Sequence, residues 1–430
     1  MSYNELYKQK LIAAEEAVMK VNSDDEIYVA VAAAEPAGLL SKLHTVRERV
    51  ENVSVVMILP LGAYDFYMKP EMKGHFLLNA WYYGPGCRQM HDAGTVSYNP
   101  SHVHNAISRR APLKKSKIFF GTAAPMDKHG YLNLSLGMMV EKDALEAADL
   151  VILEINENLP RTFGDTQVHI RDVDFVVENN RKLPVLPAAE ITDKDKVIGQ
   201  YIAELVEDGS TIQLGIGGIP NAAALCLMDK KDLGVHTEMI CDSFVDLTEA
   251  GVITGRRKTI FKDKMVGAFA LGSQRLYDWL DCNPGVEFHR GSMVNDPMVV
   301  AKNHKMVSIN TTLQVDLFGQ CVSEAIGHRQ YSGCGGAVDT CIGAQRGGGK
   351  SIVALYSTAK NDTISSLVAA LAPGTPVTIS RMDVDYVVTE YGVAALRSAN
   401  IRERVRRLIA VAHPNFRDQL REQADKMALW

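Results

Sequence analysis

Several short segments of this 430-residue sequence combine residue types that do chemistry. Gly215-Ile216-Gly217-Gly218-Ile219-Pro220 follows an apolar, β-branched run and opens a helical pattern. At such a place free backbone N–H groups and the helix dipole favour an anion, so the turn could cradle a phosphate or hold an oxyanion. It reads equally as an ordinary glycine turn between strand and helix. The dinucleotide fingerprint G-x-G-x-x-G is a poorer match, because Pro220 stands where its last glycine should be and the turn starts late in the chain.

Gly234-Val235-His236-Thr237-Glu238-Met239-Ile240 sets a carboxylate in an otherwise apolar short strand, just before Asp242 and Ser243, residues suited to capping a helix. A less hydrated carboxylate is a stronger nucleophile, yet on spacing alone a solvated or ion-paired glutamate is the plainer reading. Asn295-Asp296-Pro297 and Ser332-Gly333-Cys334-Gly335-Gly336 offer an amide and loop N–H groups that could jointly hold a developing oxyanion. Taken singly, the first is a turn and the second a flexible loop. Gly347-Gly348-Gly349-Lys350 lacks the spacing and the Ser/Thr of a P-loop and reads as a hairpin turn. Glu390, in Thr389-Glu390-Tyr391-Gly392 at a strand end, is expected to pair with a nearby cation. His102-x-His104 has no accompanying ligand pattern and reads as loop histidines, so no metal is expected.

The elements that must position these residues alternate. Ile27–Val31, Val53–Ile58, Lys117–Phe120, Leu150–Leu153, Phe175–Val177, Thr211–Leu214, Met306–Ile309, Ile352–Leu355, Val377–Ile379 and Tyr386–Val388 read as strands. Asp143–Ala148, Lys196–Val206 and Ser365–Leu371 read as helices between them. That alternation predicts an α/β fold with a largely parallel sheet. Three features recur in the same order with offsets near two hundred residues. Asp172–Glu178 returns as Asp383–Thr389, Asp127-x-x-Gly130 as Asp316-x-x-Gly319, and the strand-turn-proline of Ile27–Pro36 as Ile212–Pro220. They predict two similar open α/β domains related by internal duplication, with a boundary in the proline-bearing stretch 182–189, so that residues 1–187 form one domain and 188–430 the other. Alanines fill the first-half turn (Ala30–Pro36) where the second half has three glycines, so the chemistry is expected in the second half.

Composition excludes other classes. The net charge is −5 with both signs interspersed, which gives no sign of a nucleic-acid partner. No apolar run approaches a membrane span, and the polar, acidic start is unlike a secretory signal, so a cytoplasmic protein is expected. Seven cysteines without a C-x-x-C pair read as reduced thiols.

Taken together, Gly215–Asn221, Gly234–Met239, Asn295–Pro297, Asn310 with Gln314-Val315-Asp316, Ser332–Gly336 and Thr389–Gly392 resemble the acetyl-CoA hydrolase/transferase branch of the class I CoA-transferases, nearest to the 4-hydroxybutyrate and butyrate CoA-transferases. The resemblance implies the two-domain CoA-transferase fold with an active site at the domain interface, and a ping-pong reaction through a glutamyl-CoA thioester. Residue by residue, it puts Glu238 at the nucleophile position, Asn295 and Gly335 at the oxyanion-hole positions, and Gly215, Ile216, Gly217, Gly218, Ile219 and Gly336 in the loops that hold coenzyme A. Coenzyme A is then a co-substrate, with no permanently bound cofactor. The partners are acyl-CoA and small carboxylic acids (butyrate, acetate, 4-hydroxybutyrate, or a dicarboxylate such as itaconate or succinate), and a homodimer or higher homo-oligomer is expected. The first half should complete the acyl pocket from the loop-like run Trp81–Arg88, from Tyr98-Asn99-Pro100, and from Tyr64, Tyr67 and Lys69, with Tyr64 and Tyr83 as aromatic walls and Arg88 either meeting an incoming carboxylate or lying on the surface. An acyl-CoA hydrolase using the same glutamate is the alternative, and a dinucleotide-dependent dehydrogenase or a non-catalytic nucleotide-binding protein a more remote one.

Overall fold

The computed structural model of the chain describes residues 2–187 and 189–430. It forms two units: Met1–Pro187 with Glu238–Ile240 and Val266–Val294, and Ala188–Thr237 with Cys241–Met265 and Asn295–Trp430. The units are therefore not the two contiguous halves expected. The short strand Met239–Ile240 pairs with Phe269–Ala270, and Met138 N–H donates to Ala268 O at 2.8 Å. Those ladder bonds draw two segments of the second half into the first unit.

In the first unit, β1 (Glu26–Val29), β2 (Val53–Met57), β3 (Phe76–Ala80), β4 (Val96–Tyr98), β5 (Lys117–Ala123), β6 (Leu150–Ile155) and β7 (Phe175–Glu178) form one sheet in the order β7-β6-β5-β1-β2-β3-β4. Every neighbouring pair is parallel. In the second, β8 (Thr211–Leu214), β9 (Gly234–Val235), β10 (Met306–Thr311), β11 (Lys350–Ala354), β12 (Tyr386–Thr389) and β13 (Gly392–Ala395) run β9-β8-β10-β11-β12-β13. Only the edge strand β13 is antiparallel. β1 and β8 are buried at all four positions, as a parallel sheet covered on both faces requires. One core gathers Ile27, Val29, Val55, Leu78 and Phe120; another gathers Val353, Leu355, Val387, Leu396 and Leu408.

Five strands of each sheet share one order, β7-β6-β5-β1-β2 against β12-β11-β10-β8-β9. The likeness extends to single hydrogen bonds. Asp127 Oδ1 accepts the N–H groups of His129 (2.8 Å) and Tyr131 (3.0 Å); Asp316 Oδ1 accepts those of Phe318 (3.0 Å) and Gln320 (2.9 Å). Asp174 holds the Val151 N–H at 2.8 Å, and Asp385 the Ser351 N–H at 2.9 Å. The recurring motifs thus mark recurring turns.

Nine of the ten expected strands are present. Val377–Ile379 is not a strand; only Ile379 bridges, to Cys321. Ser365–Leu371 is not a helix either. Leu367–Val368 pairs in parallel with Val315–Asp316, and that pairing overrides the helical spacing of its apolar residues. The strands β3, β4 and β13 escaped sequence reading: two lie at sheet edges, β4 has three residues, and β3 exposes Leu77. Gly347–Lys350 is a helix-to-strand connection and not a hairpin. Gly347 caps the helix Ala337–Arg346 and Lys350 opens β11, its ammonium on Leu205 O (2.8 Å) and Glu207 (3.0 Å). No helix among the described residues is long and apolar enough to cross a membrane, and all seven cysteines are free thiols.

Candidate active site

The turn after β8 carries a run of unspent donors. Gly217 has φ +116°, a conformation that L side chains rarely adopt, and it caps the nine-residue helix Gly218–Cys226. Gly218 is glycine for a different reason: a Cβ there would lie 2.8 Å from both carboxylate oxygens of Asp195. Asp195 is fully buried at the start of the helix Asp193–Leu205. It accepts Thr192 N–H (2.8 Å), Thr192 O–H (2.6 Å) and Tyr356 O–H (2.6 Å), so it cannot give way cheaply. A Cβ on Gly215 would meet nothing nearer than 3.8 Å. The N–H groups of Gly215, Ile216, Gly217, Gly218 and Ile219 donate to none of the described residues. Ile216 is 40% exposed and Ile219 is buried.

The duplicated turn in the first unit is the reverse case. Carboxylates of the same unit take one amide of the turn and one of the helix after it: Val31 N–H goes to Glu141 (2.7 Å) and Leu39 N–H to Glu154 (3.1 Å). Glu35, on the turn itself, accepts Leu61 N–H (2.6 Å), Gly62 N–H (3.1 Å) and Tyr64 O–H (2.8 Å). All three acids are buried, and burial pushes Glu35 and Glu141 up to about 7 and Glu154 above its ordinary value. The turn is thus flanked by negative charge of its own unit, which disfavours a second anion there. Sequence reading missed these glutamates because nothing in their spacing links residues 35, 141 and 154.

Glu238 does not sit within one strand. The segment breaks into β9 and Met239–Ile240, with Glu238 half-buried at the bend between them. Its carbonyl accepts Ala268 N–H (2.9 Å) and Phe269 N–H (3.0 Å), which fixes its backbone within the first unit. On the β9 side, His236 and Thr237 are buried, and His236 N–H bonds Ile212 O at 3.2 Å. Lys258, only 4% exposed, places its ammonium on Val235 O (2.7 Å) and Lys264 O (2.8 Å) and so braces the strand leading to Glu238. No motif pointed to Lys258.

Asn295 is fully buried, just ahead of Asp296, whose side chain caps the helix Pro297–Val300 by accepting Met298 N–H at 2.8 Å. Gly335 has φ +48°, and Gly336 caps the helix Ala337–Arg346. These two helices pack so closely that a Cβ on Gly343 would lie 2.5 Å from Val300 Cβ. The elements carrying Asn295 and Gly335 are thereby brought together in the second unit. Glu390 pairs as expected: Lys194 Nζ is 3.7 Å away, and Ser357 donates through its N–H (2.9 Å) and O–H (2.8 Å).

The first-unit candidates separate. Trp81–Arg88 is not all loop, because Pro85–Met90 is helical and carries a half-buried Arg88. Tyr83 is fully buried in the core, its hydroxyl 3.1 Å from His91 Nδ1, and Tyr67 is likewise core. Tyr64 is spent on Glu35. Lys69 pairs with Asp65 at 2.8 Å.

Residues 1–187 match the acetyl-CoA hydrolase/transferase N-terminal domain and residues 272–424 the C-terminal domain of the same family. A 4-hydroxybutyrate coenzyme A transferase of Clostridium kluyveri is 41% identical over 99% of this chain and 100% of its own. The chain belongs to the acetyl-CoA hydrolase/transferase family. A butyryl-CoA:acetate CoA-transferase of Anaerostipes caccae is 36% identical over 100% of this chain and 99% of its own. Among solved structures of this family's fold, RipA from Yersinia pestis superposes with a TM-score of 0.93 at 35% identity, covering 100% of both chains.

Proposed function

We propose that this chain is a CoA-transferase that moves CoA from a short-chain acyl-CoA to a free carboxylic acid through a glutamyl-CoA thioester on Glu238. The observation that carries the reading is the turn Gly215–Ile219, with its amides undonated at a helix N-terminus, in a chain that matches CoA-transferases from end to end. The Glu238 carboxylate attacks the acyl carbonyl carbon; the C–S bond breaks, leaving a mixed anhydride and CoA thiolate. The thiolate attacks the glutamyl carbonyl and expels the first acid as its carboxylate, giving the enzyme thioester. A second carboxylate attacks that thioester, and the released thiolate then takes the new acyl group and regenerates Glu238. Thioester free energy is carried through each step by the covalent intermediate.

In this reading, the Asn295 amide and the Gly335 N–H stabilise the oxyanions, and Gly215–Ile219 and Gly336 lie beside the CoA thioester, where their backbone N–H groups add donors to the reacting centre. Arg88 belongs to the acyl side, while Tyr64, held on Glu35, and Tyr83 contribute through packing. The acids are 4-hydroxybutyrate, butyrate, acetate or a small dicarboxylate. We further place the enzyme in the cytoplasm as a homo-oligomer.

The test uses the full chain with an acyl-CoA donor and a panel of acids. Glu238→Ala is expected to fold normally and transfer nothing. Glu238→Asp, which moves the attacking oxygen by about 1 Å, should keep about 1% of the rate or less. Borohydride trapping followed by mass spectrometry should mark residue 238 in the wild type. Normal turnover by Glu238→Ala would overturn the mechanism, and thiol release that no acid diverts into new CoA ester would make the enzyme a hydrolase.

A further inference from the structure

Beneath the two donor loops of the second unit lies a buried polar cluster that the reaction scheme does not use. Gln213 on β8, Ser308 and Asn310 on β10, and Thr340 on the helix Ala337–Arg346 are each at most 8% exposed. Asn310 Nδ2 donates to Ser308 Oγ at 2.8 Å. The same oxygen lies 2.9 Å from Thr340 Oγ1 and 3.2 Å from Gln213 Oε1, and Thr340 Oγ1 reaches Ala337 O at 3.2 Å. One hydroxyl proton cannot serve both neighbours. Ser308 either donates to Thr340, whose hydroxyl then donates to Ala337 O, or donates to Gln213 while accepting from Thr340. Only the second arrangement, with Ser308 donating to Gln213 Oε1 and accepting from Thr340, joins both sides through the Ser308 oxygen.

Each side leads directly to a donor loop. Gln213 stands two residues before Gly215. Thr340 is in the first turn of its helix, with its N–H on Gly336 O at 2.9 Å. The fold does not demand this polarity. Strand register places Gln213 beside Ser308, and the corresponding pair of the duplicated sheet is Tyr28 beside Phe119, both fully buried. The unit whose turn is flanked by its own buried carboxylates has an aromatic pair; the unit with the glycine turn has the polar one. Buried hydroxyls and amides cost desolvation unless fully paired, and once paired they select a single arrangement of the elements they join.

We propose that Ser308 is a positioning residue that sets the Gly215–Ile219 turn and the Gly335–Gly336 loop in register with one another, acting through Gln213 and Thr340. The proposal rests on the reading of those loops as donors to the CoA thioester. Its consequence is kinetic: losing the tie misplaces donors that act on the transition state, leaving substrate capture largely intact.

The test compares Ser308→Ala, Thr340→Val and Thr340→Ser in the full enzyme, with Glu238→Ala alongside. Ser308→Ala and Thr340→Val are expected to lower kcat about tenfold or more, with KM for acyl-CoA changed by about twofold or less and slower build-up of the borohydride-trapped adduct. Thr340→Ser keeps the hydroxyl and should keep the wild-type kcat. Wild-type kcat in Thr340→Val, or equal losses in Thr340→Val and Thr340→Ser, would overturn the proposal. The Thr340 pair decides the matter if Ser308→Ala fails to fold. Turnover by Glu238→Ala would instead remove the reading of the reaction itself.

Discussion

Carboxylates in this chain do different work according to what surrounds them. Glu207 on the surface is lowered to about 2 by Lys305 and Lys350, so its contribution to stability is present above its ordinary 4.5 and lost as pH falls through 2. Glu35 and Glu141 act in the opposite sense. Held at about 7 by burial, they keep protons in the folded state that the unfolded chain releases near 4.5. Unfolding therefore releases protons between those values. The stability these two groups contribute is complete below about 4.5 and is lost as pH rises through 7. Glu141→Gln should flatten the fall of the urea midpoint between those pH values by one proton's worth. A slope identical to wild type would show that residue 141 is already ionised when buried. The three acids of the first-unit turn were illegible in the sequence, because their meaning lies in which amides they meet.

Among elements, the glycine turn makes the sharpest predictions, since its three glycines differ in why they are glycine. Gly217→Ala forces an L residue to φ +116°, and Gly218→Ala drives a methyl into the pinned Asp195 carboxylate. Each is expected to cost about 1–3 kcal/mol in thermal or urea unfolding. Gly215→Ala has room and should leave the unfolding midpoint close to wild type. Equal losses at 215 and 218 would refute the role assigned to Asp195. Part of this was readable beforehand: Thr192-Asp193-Lys194-Asp195 forms a capping box at a helix start, with a residue type that caps and an acid three positions on. That Asp195 then abuts Gly218 depends on how two helices pack.

At the scale of the whole molecule, the duplication gives paired positions with unequal loads. Asp174 is exposed and holds one strand amide of the first sheet. Asp385 is 2% exposed; besides the Ser351 N–H, it takes Gln345 Nε2 (3.0 Å) and a two-pronged contact from Arg397 (2.7 and 3.0 Å). Asp385→Ala leaves the buried Ser351 amide without its acceptor and removes the carboxylate that Arg397 and Gln345 meet, and is expected to cost about 2–3 kcal/mol. Asp174→Ala should cost about 1 kcal/mol or less. Urea unfolding of both variants checks the ranking, and equal effects would contradict it.

The recurring Asp and glycine signatures, the alternation of apolar runs and the six ordered motifs were enough to reveal a duplicated parallel α/β fold and a family. These are local patterns whose physical cause, a turn or a strand face, lies within a few residues. Tertiary structure alone decided that Glu238 sits at a bend between two short strands, that Tyr83 is core, that Leu367–Val368 pairs as strand, and that buried carboxylates flank only the first-unit turn. Each of those outcomes depends on a partner tens or hundreds of residues away, chosen by packing and by the need of every buried polar group for a mate.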